Sequence, residues 1–300
     1  MGEPRVLYIT GWLRSGSTML GNVLGELPGV LHVGELHYLW QNGILKAGTN
    51  STCGCGADVT ACELWSKVIT SSEGEARLMT LQQRALLRTR HTRDRIAEST
   101  GRTVTAPGVA EAVGRTAEVY RTLAAHGGER LIVDGSKFPA EAAALLGRAD
   151  LDVKVLHMVR DPRATAFSYA KAKDYIDPMS PARSSGFWTG FNVASELSAH
   201  AAPDRYLRVR HEDLCRDPRG TLARVLAFAG LDDEPPADAD GNVVLSVNHT
   251  VTGNPDRLSA GPARIRADER WRTGLSAHAR AAATGPALPL LGRYGYPILT

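Results

Sequence analysis

Residues 5–27 read RVLYITGWLRSGSTMLGNVLGEL, and their order decides the fold. An apolar run ends near Gly11, the loop Leu13-Arg14-Ser15-Gly16-Ser17-Thr18 follows, and a helix-forming stretch runs from Met19 to Leu27. Strand, glycine-bearing loop and helix in that order form an anion cradle. The glycine admits close approach of a bound group, loop N–H groups point inward, and the new helix adds the positive end of its dipole. Gly11 and Gly16 have the G-x-x-x-x-G spacing of a nucleoside-triphosphate loop, but Ser17 stands where that motif requires lysine. Arg14 is the only fixed cation of the turn. The loop therefore suits a phosphate-like group while lacking the lysine that serves the β and γ oxygens of a triphosphate. Taken alone, the segment also reads as an ordinary connector.

A second cluster lies at 153–170, VKVLHMVRDPRATAFSYA. Val153 to Val159 is a short β-branched run of buried-strand length, and Asp161-Pro162 reads as a helix start. Arg160 at the strand end and Ser168 two helical turns later can converge on one anion, the arginine by a forked charge-assisted bond and the serine by its hydroxyl. The alternative is an Arg–Asp pair closing the strand–helix turn, with Ser168 an ordinary helix residue.

Together the two clusters carry a resemblance. The chain resembles the sulfotransferases that use 3′-phosphoadenosine 5′-phosphosulfate (PAPS), of bacterial type and with catalytic motifs like those of the tyrosylprotein sulfotransferases. That family has an Arg/Lys-Ser-Gly-Ser/Thr-Thr loop for the 5′-phosphosulfate and an Arg followed eight residues later by Ser for the 3′-phosphate. Arg14-Ser15-Gly16-Ser17-Thr18 matches the first element, and Arg160 with Ser168 the second. Weaker echoes are VDGSKFP at 133–139, VRHEDL at 209–214 and HTVTGNPDR at 249–257. The resemblance implies PAPS as donor, adenosine 3′,5′-bisphosphate as product, and in-line sulfuryl transfer to a hydroxyl or amine. By analogy with phosphoryl transfer, positioning and charge stabilisation dominate, and no metal need take part.

The resemblance also assigns roles. Glu35 follows the strand candidate Val30 to Gly34, and a Gly-Glu glutamate at this interval acts as base in the tyrosylprotein enzymes. His32 and His37 are rivals, because imidazole titrates near neutrality. Cytosolic relatives carry their histidine in a Lys-Thr-His-Leu-Pro segment, whose counterpart here, Gly135-Ser136-Lys137-Phe138-Pro139, has none. Lys137 is expected to serve the bridging oxygen of the phosphosulfate or, on the other reading, to pair with Asp134. Arg14 would share the sulfuryl and 5′-phosphate charge. Asn254 and Arg257 are the candidates from a late segment that covers the 3′-phosphate in relatives. His211 stands where relatives place a tyrosine near the adenine, and reads equally as a surface histidine.

The remaining sequence permits this. Strand candidates at 5–11, 30–34, 130–134, 153–159 and 205–210 alternate with helix candidates at 17–27, 75–99, 109–126, 139–148, 163–173, 188–201 and 218–229. The expectation is an α/β fold with a P-loop-like central parallel sheet flanked by helices on both faces, in one domain over 1–300. Loops at 40–75 and 174–187 are candidate lids over the acceptor, and 245–272 is a candidate cofactor-covering segment after the acidic linker Asp232 to Gly241. A net charge of +3, from 35 basic and 32 acidic residues, is too balanced to indicate nucleic acid. No apolar run reaches the roughly 18 residues that span a bilayer, and neither a signal peptide nor a myristoylation motif is apparent. A cytoplasmic enzyme acting on a small-molecule, glycan or natural-product acceptor is expected.

Tyr38, Trp40, Tyr175, Phe187 and Trp188 could line an acceptor pocket, though core packing explains aromatics more often. Cys53-x-Cys55-x6-Cys62 could hold zinc if His91 or Cys215 came near, but the spacing is not among the strong zinc patterns; a disulfide or redox pair and plain loop cysteines are the other readings, and no metal is expected. The rival function is a P-loop NTPase or small-molecule kinase, with Asp134 its best magnesium-side carboxylate. A nucleotide-binding module without turnover is a third possibility.

Overall fold

The computed structural model of the chain describes residues 3–48, 50–127, 130–170 and 177–298. In chain order the elements are β1 (Arg5–Thr10), α1 (Ser17–Leu24), β2 (Val30–Gly34), α2 (Trp65–Val68), α3 (Glu73–Leu86), α4 (Thr92–Ser99), α5 (Pro107–Gly127) and β3 (Leu131–Lys137). There follow α6 (Pro139–Leu146), β4 (Asp152–Val159), α7 (Pro162–Tyr169), α8 (Pro181–Ala201), β5 (Tyr206–Arg210), α9 (His211–Arg216) and α10 (Pro218–Ala229). The chain closes with β6 (Asn242–Leu245), β7 (Gly261–Arg264), α11 (Trp271–Gly274) and α12 (Ala277–Leu291).

Five strands form one parallel sheet in the order β2-β3-β1-β4-β5. Strand side chains alternate between faces, and β1 illustrates the result. Val6 and Tyr8 join one core with Trp40, Trp65 and residues of α3, α5 and α6, while Leu7 and Ile9 join another with Leu20 and Val23 of α1 and Leu222 and Val225 of α10. Helices thus cover both faces, as the alternation of elements predicts. Trp12, Trp188 and Leu291 belong to a third cluster beyond the carboxyl ends of the strands.

Three expectations are corrected. The 75–99 stretch is two helices: the Arg95 guanidinium donates to the Leu86 carbonyl at 2.8 Å, ending α3, and the Thr92 hydroxyl donates to Thr89 O at 2.7 Å as α4 begins. The 174–187 loop is helical from Pro181 onward, because Ser180 caps α8 and proline suits the first turn; residues 174–176, Tyr175 included, lie outside the described residues. The segment 40–75 is not featureless either, with a π-helical turn at Leu39–Ile44 and α2 inside it. The β6–β7 hairpin-like pair is antiparallel and separate from the main sheet, and the sequence reading did not anticipate it.

Trp40 and Trp188 are core residues, 1% and 0% exposed, so packing explains both. Phe187 is exposed and stacks on Trp12 at 5.4 Å.

Candidate active site

The site forms where parallel strands end. Thr10, the last residue of β1, is in register with Lys137 on one side and His157 on the other, so the Arg14 loop emerges between the ends of β3 and β4. Gly11 makes this exit possible: its φ is +125°, and a Cβ there would lie 2.2 Å from the Met158 carbonyl oxygen. Arg14 and Gly16 both have left-handed backbone, at φ 70° and 88°, and Gly16 precedes the first turn of α1. Such a turn points successive N–H groups into one concavity. The Ser15 hydroxyl is buried and donates to Trp12 O at 2.7 Å, which leaves Ser15 its backbone N–H to offer. Ser17 and Thr18 line the recess described below.

The two anion clusters meet. Arg14 Nε donates to Ser168 Oγ at 2.9 Å, and Arg160 Nη1 donates to the Arg14 carbonyl at 3.1 Å, across 146 residues of sequence. Asp161 pairs with Arg163 and not with Arg160. Its carboxylate caps α7 at Arg163 N and pairs in forked fashion with the Arg163 guanidinium, at 2.8 and 2.6 Å, under the Trp271 ring. Arg160 also reaches Asp268 O at 3.5 Å. His211 is half-buried and no freely exposed histidine: its ring packs against Gly16, and burial, then the Arg160 charge, lowers its pKa to about 3. Glu212 accepts from Asp161 N at 2.9 Å and from the Tyr296 hydroxyl at 2.7 Å, and burial raises its pKa.

Beside the cradle lies a narrow recess, lined by Ser17, Thr18, Glu35, Lys137, Thr252 and Arg257 among others. Glu35 and Lys137 form a close ion pair in it, and Lys137 Nζ also donates to Gly135 O at 3.0 Å. Lys137 therefore does not pair with Asp134. Asp134 turns inward instead, accepting from Tyr120 OH at 2.6 Å and from Ser136 N at 2.8 Å; burial, then Glu141, raises its pKa to about 6. Among the described residues, three of the four non-glycine positions with left-handed backbone, Arg14, Lys137 and Thr252, belong to this site. Strain of that kind persists where surrounding structure enforces it.

The rival histidines sit differently. His37 is buried against Glu141, with Nδ1 2.8 Å from Oε2, and its amide donates to Ser136 Oγ, so it faces the interior. His32 does line the recess, 3.1 Å from Asn22 Oδ1, but burial, then the charges of Lys137 and Arg257, lowers its pKa to about 3.

The late segment closes over the Glu35 side. Val251 runs beside the end of β2, accepting from Glu35 N and donating to Val33 O, both at 2.8 Å, while Thr252 Oγ1 donates to Glu35 O at 3.0 Å. Arg257 is buried and donates to Thr250 O, Asn50 Oδ1 and Thr52 O at 2.7 to 2.9 Å. Asn254 caps the turn Pro255–Leu258 through Asp256. Arg257 thus contributes to the recess, whereas the late residues beside Arg160 and Arg163 are Asp268 and Trp271. Sequence reasoning missed that exchange, since several arginines between 257 and 272 compete for the role. The cysteine cluster gains a partner the sequence did not suggest, His249, rather than His91 or Cys215.

Comparison with known proteins bears on the family and the fold. The chain matches the model described as "Sulfotransferase family" over residues 5–235. It is 30% identical over 112 residues to carbohydrate sulfotransferase 5 of Mus musculus, a match that spans 29% of this chain and 27% of that relative's length. Among solved structures it superposes on the sulfotransferase domain of the Synechococcus PCC 7002 olefin synthase with a TM-score of 0.57, at 20% identity over 99% of this chain and 97% of that one. It also superposes on the sulfotransferase domain of the curacin biosynthetic pathway, with a TM-score of 0.53 at 18% identity over 99% of both chains.

Proposed function

Because the chain belongs to the sulfotransferase family, we propose that it transfers a sulfuryl group from PAPS to an acceptor hydroxyl, with Glu35 as general base. The observation that carries this reading is the contact between the Arg14 loop and the Arg160–Ser168 pair. Two anion-binding clusters held side by side suit a nucleotide with two separated phosphates. The donor set fits such a ligand: N–H groups at the start of α1, two guanidinium groups and the Ser168 hydroxyl, with the neighbouring carboxylates of Asp161 and Glu212 already hydrogen-bonded.

PAPS supplies the sulfuryl group and a phosphate leaving group. Glu35 takes the acceptor's hydroxyl proton as the acceptor oxygen bonds to sulfur and the sulfur–oxygen bond to the 5′-phosphate breaks. Lys137 and Arg14 stabilise the charge that grows on the sulfuryl and leaving oxygens. Resting Glu35 is oriented by its ion pair with Lys137, and Val251 and Thr252 fix its backbone. His32, lowered to about 3, is too weak a base near neutrality. His37 is committed to Glu141. Asn254 and Arg257 act here by shaping the segment that closes on Glu35. The NTPase reading finds less support, since the Asp134 carboxylate is occupied by Tyr120 and Ser136 rather than available to a metal.

A cytoplasmic setting and a glycan, small-molecule or natural-product acceptor complete the proposal. Among the described residues no helix is long and apolar enough to cross a membrane. The test is thermal stabilisation by adenosine 3′,5′-bisphosphate against ATP–Mg²⁺, where a ligand at about 100 times its Kd adds about 2.7 kcal/mol. Stabilisation by ATP–Mg²⁺ alone would refute the donor assignment. A transfer assay against metabolite and glycan pools, read by mass spectrometry for a new sulfate, then identifies the acceptor.

A further inference from the structure

Cys53, Cys55, Cys62 and His249 bring their ligand atoms within 4.8 Å of one another, although His249 lies far along the chain. The geometry points to a structural Zn²⁺ site with three cysteine thiolates and the His249 Nδ1 as its four ligands. Tetrahedral zinc with Zn–S of about 2.3 Å and Zn–N of about 2.0 Å requires S···S edges of about 3.8 Å and S···N edges of about 3.5 Å. Here Cys55 Sγ and Cys62 Sγ are 3.8 Å apart, and His249 Nδ1 lies 3.2 Å from Cys62 Sγ and 3.8 Å from Cys53 Sγ. All four cysteines of the chain are free, and an odd number of them meets in this cluster.

The surrounding chain is shaped to bring these atoms together. Cys53 to Ala57 is a tight turn in which Cys53 N donates to Ala57 O at 2.8 Å and Gly56 N to Cys53 O at 2.9 Å. Gly54 permits the approach of the His249 segment, since a Cβ there would lie 2.0 Å from Asn248 Oδ1. Trp65 Nε1 donates to His249 O at 2.6 Å and fixes that backbone. Cys53 and Cys62 are fully buried. Charge agrees as well. Three thiolates and Zn²⁺ carry one net negative charge, and the buried Arg257 guanidinium beside them donates only to neutral oxygens, with its Nε lacking a partner.

Four protein ligands leave no open position, so the ion's role is structural. It ties the 50–65 segment to residues 248–252, the stretch that clamps Glu35 through Val251 and Thr252. The zinc would hold one wall of the recess without touching the reacting atoms. This site stands apart from the donor assignment, because metal content is measured without any nucleotide.

The test is the metal content of the full chain purified without chelator from zinc-supplemented cells. One zinc per chain is expected, with loss in Cys55→Ser and His249→Ala and retention in Cys215→Ser. Should those variants fail to fold, Co²⁺ exchange into the unaltered chain decides, by giving the strong visible absorption of tetrahedral thiolate coordination. Removing the metal is expected to lower the Tm and to speed hydrogen exchange at the Glu35 and Val251 amides. Native protein with little zinc and reactive thiols, a disulfide found within the cluster, or zinc content unchanged in both variants would overturn the site. Unaltered exchange at Glu35 and Val251 after zinc removal would overturn its role in the clamp.

Discussion

Mild acid should unfold this protein, because three histidines are kept neutral inside it. His32, His157 and His211 are each lowered from 6.5 to about 3, by burial first and then by nearby arginine or lysine charge. An unfolded chain takes up their protons near the ordinary value, and the folded chain only near 3. Each therefore contributes stability that is full above 6.5 and lost progressively as pH falls through that window. At about 1.4 kcal/mol per unit, about 1.5 units below 6.5 costs about 2 kcal/mol per ring, or about 6 kcal/mol for three independent rings. Asp134 acts in the opposite sense. Raised to about 6, its carboxylate is penalised by burial above that value and relieved on acidification, which returns about 1.3 kcal/mol near pH 5. The net loss of about 5 kcal/mol rivals the whole stability of an ordinary domain. Urea unfolding followed by circular dichroism near pH 7, 6 and 5 measures it. His157→Gln, which removes one of the three rings, should lower stability at neutrality yet flatten the acid slope by about a third. Equal stability at both ends of the range, or an unchanged slope in the variant, would refute the reasoning.

Glu35→Gln should lower kcat by about 10²- to 10⁴-fold while leaving bisphosphate binding intact; steady-state kinetics with calorimetric titration checks both, and an unchanged kcat removes Glu35 as base. Lys137→Ala strands a half-buried carboxylate and should cost up to about 3 kcal/mol, part of which the double variant with Glu35→Gln regains. Strict additivity in that denaturation cycle would argue against the ion pair. Gly11→Ala, forced against Met158 O at φ +125°, should destabilise by more than ~1 kcal/mol in the same assay. Arg163→Met leaves Asp161 buried without its forked partner and should likewise cost about 3–5 kcal/mol, with a lower Tm as the readout.

What the sequence made legible was local or periodic. The five sheet strands were evident because each is a short run carrying apolar or β-branched residues, and the Arg14 loop because glycine spacing and helix onset are contiguous. Asp161-Pro162 marked a helix start that the structure contains. Less legible were contacts made across long stretches of chain. Nothing near residue 249 signals that its imidazole meets Cys62, and nothing near Arg257 signals that its guanidinium serves the carbonyls of Thr250 and Thr52 rather than an outward ligand. The break between α3 and α4 was hidden for a similar reason: no glycine or proline marks it, and the stop is supplied by Arg95 reaching back to Leu86 O.

The placement of Val251 has one more consequence. β2 is an outer strand of the sheet, and at its end the Val33 carbonyl and Glu35 amide are both hydrogen-bonded to residue 251. A fragment stopping near residue 235 would retain every strand of the main sheet yet leave that rim bare, a template for pairing with another molecule. Such a fragment should self-associate where the whole chain, with residue 251 on that rim, does not.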